Sequence, residues 1–434
     1  MRHLWKTMGL LLLAALLLGG CGRREQEQPA EAPAAEAADV EEPPAPEPAP
    51  EPAPEPAPEP EPEPGPDPKE TAVETLLAEM SLEEKAGQLF FMKLPDVEAE
   101  EKVRDLHVGG VLLFTKDFKD AAGEWLSREA FEEKIQALQA AAGTPLLVGV
   151  DEEGGTVARA SRNPNLFAEK CKSPQELFAE NRWSAIGDDA AYKNRDLLSC
   201  GINVNFAPVA DVSTDPEDFI YDRAFGQDAQ ATAEYVRWVV EHAATAAFRK
   251  VNEDGGIEDH VYRIGCVLKH FPGYGSNRDT HTGSAVDERS YEEFLEKDFL
   301  PFRAGIEAGA GAVLVSHNIV TCMDGELPAS LSPAVHQVLR EELGFEGVAI
   351  TDDLAMGAVG SYAKEGSAAV LAVLAGNDMV ITGSAGSQVQ SVVDAVAGGV
   401  LEESAVDQAV RRVLGWKYDL GLLEAEEPEM AEEF

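Results

Sequence analysis

From about residue 80 onward the chain alternates between two hydrophobic periods. Short runs in which nearly every position is apolar read as strands buried on both faces; they fall at 88–92, 110–114, 146–150, 202–206, 265–268, 312–315, 348–350 and 378–381. Between most of them lie longer stretches whose apolar residues return every three or four positions, the period of a helix with one buried face. These are 128–142, 231–249, 290–308, 332–343 and 366–375, with a terminal helix around 404–414. Ahead of the first strand, a helical pattern at 73–79 leads into Met80-Ser81-Leu82-Glu83-Glu84. There Ser81 is suited to cap a helix, and the acidic residues suit that helix's positive end. Eight strands alternating with helices predict an α/β fold, a single (β/α)8 TIM-type barrel over 70–425, in preference to a doubly wound sheet.

The first seventy residues obey neither period. Arg2, His3 and Lys6 precede an apolar run from Met8 to Leu18, too short to span a bilayer and suited to the core of an export signal, which sets off 1–20 as a signal peptide. The run ends in Leu18-Gly19-Gly20-Cys21, which resembles a bacterial lipobox; the resemblance implies cleavage before Cys21 and lipidation of its thiol. The region 21–69 is then a Pro, Glu and Ala linker with Val40 as its only large apolar side chain, so it has nothing to bury and is expected to be disordered. Proline-rich chain of this length reaches on the order of 100 Å or more, enough to hold a domain away from a membrane surface. The expectation is an exported lipoprotein, anchored through its lipidated N-terminus on the extracytoplasmic face of the cell membrane or on the outer membrane. A short acidic tail, 426–434, follows the barrel.

Charge and cysteine content narrow the partners. The formal net charge is −44, and the linker's 14 acidic against 3 basic residues account for only a quarter of it. The folded part is itself strongly acidic, which argues against nucleic acid or anionic lipid as a partner of its surface. Beyond Cys21 there are Cys171, Cys200, Cys266 and Cys322, none in a Cys-x-x-Cys pair, so zinc-ribbon spacing is absent. Cys200 and Cys266 adjoin or lie in strand patterns and read as buried thiols, with a disulfide as the alternative for an exported chain.

A barrel places its chemistry just after the strands, on the C-terminal face. Polar residues collect there: Asp151-Glu152-Glu153 after the third strand, Asn205 at the fourth, Lys269-His270 at the fifth, Ser316-His317-Asn318 at the sixth and Asp352-Asp353 at the seventh. The densest group is the segment from Lys269 to His281, which begins as a strand and continues as a Gly-rich loop carrying Asp279 and His281 two residues apart. That spacing lets a carboxylate hold one imidazole nitrogen while the other faces a substrate. Asp352, delivered by the buried strand 348–350, is placed as a nucleophile must be, and alternation turns Asp353 another way. An Asp nucleophile with a His proton donor suits displacement at an acetal carbon through a covalent intermediate, with Asp151, Lys269 and His270 left to bind hydroxyls. The scheme calls for no cofactor and no metal.

Five separated motifs then carry a family resemblance. Asp151-Glu152-Glu153-Gly154-Gly155, Asp222-Arg223-Ala224-Phe225-Gly226, Lys269-His270-Phe271-Pro272-Gly273, Asp279-Thr280-His281 and Thr351-Asp352-Asp353-Leu354-Ala355-Met356 together resemble glycoside hydrolase family 3, in particular its NagZ-type β-N-acetylglucosaminidases, over about residues 75–420. The resemblance implies Asp352 as nucleophile, His281 as acid/base and Asp279 as its orienting partner. It further implies that Asp151, Arg223, Lys269 and His270 bind a terminal N-acetylglucosamine, with net retention at the anomeric carbon. The expected substrate is a β-N-acetylglucosaminide, such as a peptidoglycan fragment, and the barrel is expected to act as a monomer. Tyr274 stands where the subgroup commonly has a second His, and Thr280 where it commonly has Ser.

Three other readings use the same residues. His270, Asp279, His281, His317 and Asp352 could instead be ligands of a metal-dependent hydrolase. The chain could be a carbohydrate-binding lipoprotein without catalysis. Phosphorolysis is the third, because a neutral His tolerates phosphate as the second acceptor better than a carboxylate does.

Overall fold

The computed structural model describes residues 67–249, 260–277, 285–359, 362 and 368–424. The signal segment, Cys21, nearly all of the linker and the acidic tail lie outside them. Eight parallel strands close into a barrel: β1 (Phe90–Lys93), β2 (Gly110–Leu113), β3 (Leu147–Val150), β4 (Val204–Asn205), β5 (Gly265–Phe271), β6 (Ala312–Val315), β7 (Val348–Asp353) and β8 (Met379–Thr382). Each strand pairs with its neighbours in sequence, and β1 closes on β8 through Phe90–Val380, Phe91–Ile381 and Met92–Thr382. Both faces of most strands are buried, which is why their sequences read as continuous apolar runs rather than alternating ones.

The inward face is filled by Phe91, Leu112, Leu147, Val204, Phe206, Val267, Leu314, Val348, Ile350 and Ile381, with the Phe91 and Phe206 rings edge to face at 5.3 Å. The last helix, Glu403–Asp419, supplies the floor. Its Val413, Trp416 and the following Leu420 join the barrel interior, and the Trp416 indole lies so close to Gly265 and Gly311 that neither position has room for a Cβ. The outward faces of the strands pack against the helices in a second, larger core.

The capping signal at Ser81 forms as expected: its hydroxyl accepts from the Glu84 amide, and the Glu84 carboxylate accepts from the Ser81 amide. Other expectations are corrected. The helix expected over 231–249 is Ala229–Ala243, and Ala247–Phe248 instead pairs antiparallel with Tyr262–Arg263. The crossover from β3 to β4 is a long helix, Pro174–Ser199, broken at Asn181 and Arg182, whose mixed polar sequence hides its period. Helices Ala99–Leu106 and Ala385–Ala397 complete the ring. The four described cysteines are free thiols; Cys200 and Cys266 are buried, Cys171 is half-buried and Cys322 exposed.

Candidate active site

The strand ends converge at the C-terminal mouth as a linked set of charges. β5 runs three residues past the point where its apolar pattern stops, so Lys269, His270 and Phe271 are still strand and fully enclosed. Its register against β6 skips at His270: Lys269 lies opposite Leu314, and Phe271 opposite Val315. The extra residue breaks strict alternation, and two consecutive side chains enter one network.

Lys269, 2% exposed, donates to Asp151 at 2.7 Å and meets Glu153 at 2.6 Å. Glu153 also receives Arg223 in a fork, Nε at 3.0 Å and Nη2 at 2.8 Å. Burial pushes the Glu153 carboxyl up, but the Arg223 and Lys269 cations outweigh it and hold the group well below the usual carboxylate range. Burial likewise works against the Arg223 charge, and Glu153 more than restores it. Arg223 reaches this point because Gln175, in the first turn of the long helix, ties down the turn around it by donating to the Tyr221 and Ala224 carbonyls at 2.7 and 3.1 Å.

His270 is held by two partners whose chemistry sets its tautomer. Arg223 has only donors, so His270 Nε2, 3.1 Å from Nη2, accepts. Nδ1 therefore carries the proton and donates to Asp211 at 2.7 Å. Asp211, buried in the loop after β4, also accepts from the His270 amide at 3.1 Å and the Tyr274 amide at 2.7 Å. Tyr274 is itself buried and sets its ring edge to face with His270 at 5.2 Å.

At the end of β7 the adjacent carboxylates separate. Asp353 accepts from Lys93 of β1 at 2.7 Å and from the Ala355 amide at 3.0 Å, while Asp352 accepts from the Asp353 amide at 2.8 Å. His317 donates from Nε2 to the Asp353 carbonyl at 3.0 Å and accepts the Ser330 hydroxyl at Nδ1, 2.7 Å away, so it pins the backbone beside Asp352. Glu152 is fully buried and accepts the Arg159, Ala160 and Ser161 amides, which fixes the loop after β3. Three consecutive carboxylates thus serve three partners: Asp151 a lysine, Glu152 a loop backbone, Glu153 two cations.

The structure brings Asp151, Arg223, Lys269 and His270 into one connected cluster and sets Asp352 on the same mouth. Asp279 and His281 lie outside the described residues, as does Thr280. Among the described residues no group of three or more His, Cys, Asp or Glu is placed to hold a metal ion. Sequence reasoning did not single out Asp211, Glu153 or Lys93 as site residues. The only signal for Asp211 was a lone carboxylate in the apolar stretch 207–212.

Residues 81–415 match the model of the glycosyl hydrolase family 3 N-terminal domain. The chain belongs to glycoside hydrolase family 3. A β-hexosaminidase of Xanthomonas campestris pv. campestris is 34% identical over 316 residues, 71% of this chain and 87% of that protein. The solved structure of M. tuberculosis LpqI superposes with a TM-score of 0.68 at 29% identity, covering 80% of this chain and 96% of that one. A family 3 β-N-acetylglucosaminidase from a Paenibacillus species gives a TM-score of 0.68 at 26% identity, covering 79% of this chain and 63% of that one. This family 3 chain is a glycoside hydrolase, and its substrate is a carbohydrate.

Proposed function

We propose that the protein is a retaining exo-β-N-acetylglucosaminidase that removes terminal non-reducing β-N-acetylglucosamine through a covalent glycosyl-Asp352 intermediate. The observation that carries this reading is the placement of Asp352 at the end of β7: its neighbour Asp353 turns to Lys93 of β1 and the Ala355 amide, and Asp352 stands on the barrel mouth that Asp151, Arg223, Lys269 and His270 share. The names of the family 3 relatives support the sugar. In the first step Asp352 Oδ bonds to the anomeric carbon as the glycosidic C–O bond breaks, and His281, oriented by Asp279, gives its proton to the departing oxygen. In the second, His281 takes a proton from water, whose oxygen displaces Asp352 and restores the β-configuration.

Asp151, Lys269 and Arg223 offer a carboxylate acceptor beside cationic donors, a set matched to sugar hydroxyls. His270, with both nitrogens engaged, contributes by aiming Arg223 at the sugar. The lipobox-like Cys21 and the extended linker support a companion proposal: an exported, lipid-anchored monomer whose catalytic barrel works at a distance from the membrane, on substrates such as peptidoglycan fragments.

The test uses protein starting near Lys69 with an aryl N-acetylglucosaminide and the matching aryl glucoside, each with and without phosphate. Preference for the N-acetyl sugar, release of free N-acetylglucosamine rather than its 1-phosphate, and loss of turnover in Asp352→Ala are expected. Normal activity in Asp352→Ala would overturn the assignment.

A further inference from the structure

The segment bearing Asp279 and His281 leaves the described chain at Asn277 and rejoins it at Ala285. Both ends meet one guanidinium. On the outgoing side, Arg289 donates from Nη2 to the Gly273 carbonyl at 3.1 Å. On the returning side, Nε lies 3.1 and 3.0 Å from the two oxygens of Asp287, and Nη2 donates to Asp287 at 2.8 Å. Nη1 donates to Asp298 at 2.7 Å, so every guanidinium nitrogen is engaged within the protein. Asp287 then reaches across to the outgoing side, accepting Asn277 Nδ2 at 2.7 Å.

This knot is enclosed by strand pairing, buried carboxylates and an aromatic ring. Val286–Asp287 pairs in parallel with Ile319–Val320, and the Thr321 hydroxyl donates to the Asp287 carbonyl at 2.9 Å. Asp287 and Asp298 are 3% and 1% exposed, and the guanidinium sits 4.3 Å from the centre of the Phe294 ring. The two glycines of the loop are explained by the same knot. Gly275, at φ +53°, passes beneath the guanidinium, where a Cβ would lie 2.6 Å from Arg289 Cζ; Gly273, at φ +126°, faces the Asp298 carboxylate too closely for any Cβ. The glycines there serve a buried charge cluster pressed against the loop backbone.

We propose that Arg289 is a positioning residue for proton transfer: by tying Gly273 to Asp287, and through Asp287 to Asn277, it fixes the separation of the two ends between which Asp279 and His281 lie in sequence. The inference rests on the reading of His281 as acid/base. A bidentate fork holds both the distance and the angle between its partners, which a lysine ammonium does not. Loosening the ends is expected to cost proton transfer and to spare Asp352, which is delivered by β7 on the far side of β6.

The experiment measures kcat/KM for aryl N-acetylglucosaminides graded from a dinitrophenyl leaving group, which departs without protonation, to a methylphenyl one, which requires it. The variants are Arg289→Lys and Asn277→Ala, with His281→Ala as reference and circular dichroism to check folding. A fall of about tenfold or more on the methylphenyl substrate is expected for both variants, part of the 10²–10⁴-fold that a placed general acid contributes. On the dinitrophenyl substrate a change within about threefold is expected, giving the same steepened leaving-group dependence as His281→Ala. Equal losses on every substrate, or no loss in folded variants, while His281→Ala steepens the dependence, would overturn the positioning role alone. A flat dependence in His281→Ala itself would instead overturn the acid/base reading. Should Arg289→Lys not fold, Asn277→Ala decides by the same criterion.

Discussion

Asp211 accepts three hydrogen bonds and has no donor to offer back: the His270 amide, the His270 ring and the Tyr274 amide all point at it. An Asn in its place must turn its NH2 toward one of those donors. Either a backbone amide is orphaned, at about 1–3 kcal/mol, or the imidazole changes tautomer and presents Nε2–H to the Arg223 guanidinium. Asp211→Asn is therefore expected to lower kcat/KM by about tenfold to a hundredfold, mostly through KM, since the disturbance passes to Arg223, which the proposed function places on the sugar. Steady-state kinetics against an N-acetylglucosaminide check it, and an unchanged KM would contradict it.

Glu153 gives a pH prediction. Its folded carboxyl is held below the unfolded value of 4.5 by Arg223 and Lys269 despite burial. Its contribution to stability is therefore present above about pH 4.5 and is lost as pH falls below that value toward the folded one. Removing the charge takes the carboxylate from Arg223 and leaves Lys269 with Asp151 alone; breaking a buried pair in this way costs about 3–5 kcal/mol. Glu153→Gln should lower Tm strongly at pH 7, and its deficit against the wild type should narrow between pH 4.5 and pH 3. Thermal unfolding across that range is the measurement.

Lys93 tests the division between the adjacent aspartates. With its cation removed, Asp353 keeps the Ala355 amide as its hydrogen-bond partner among the described residues, and the backbone that carries Asp352 loses a link to β1. Lys93→Met should reduce kcat/KM by about tenfold, through a displacement of Asp352, the proposed nucleophile, of well under about 1 Å. The loss should be uniform across leaving groups, because nucleophile placement matters to all of them.

Lys417 is fully buried in the last helix, with Gln88 Oε1 at 2.6 Å, and burial lowers its ammonium to about 7. The unfolded chain, with lysine near 10.5, binds more protons than the folded one between about pH 7 and 10.5, so stability rises with pH across that window and the penalty is largest at and below pH 7. At about 1.4 kcal/mol per unit of pKa this exceeds the roughly 1–3 kcal/mol of leaving the Gln88 oxygen unpaired. Lys417→Met is expected to raise Tm at pH 7, with an advantage that shrinks toward pH 10; a lower Tm throughout would contradict it.

The barrel was legible because its strands are buried on both faces, and eight apolar runs separated by helical periods leave few alternatives. Its boundaries were less so. β5 continues through Lys269 and His270, which no hydrophobic pattern marks, because the side chains that stabilise them come from Asp211, Glu153 and Arg223 in other crossovers. Asp151, Arg223, Lys269 and His270 were singled out through their place after the strands and through motif resemblance, and the structure joins them in one cluster. Asp211 and Lys93 were not, since their importance lies in which partner they meet across the barrel. Arg289 escaped for the same reason: its sequence neighbours look like an ordinary acidic helix start.

The floor of the barrel has a consequence for synthesis. β1 needs β8 for its outer hydrogen bonds, and Gly265 and Gly311 need Trp416 to fill the space beside them. A nascent chain that has not yet released β8 lacks the closing seam, and one that has not yet released the helix ending at Asp419 still lacks the plug. The barrel can therefore be completed only after that last helix has been synthesised.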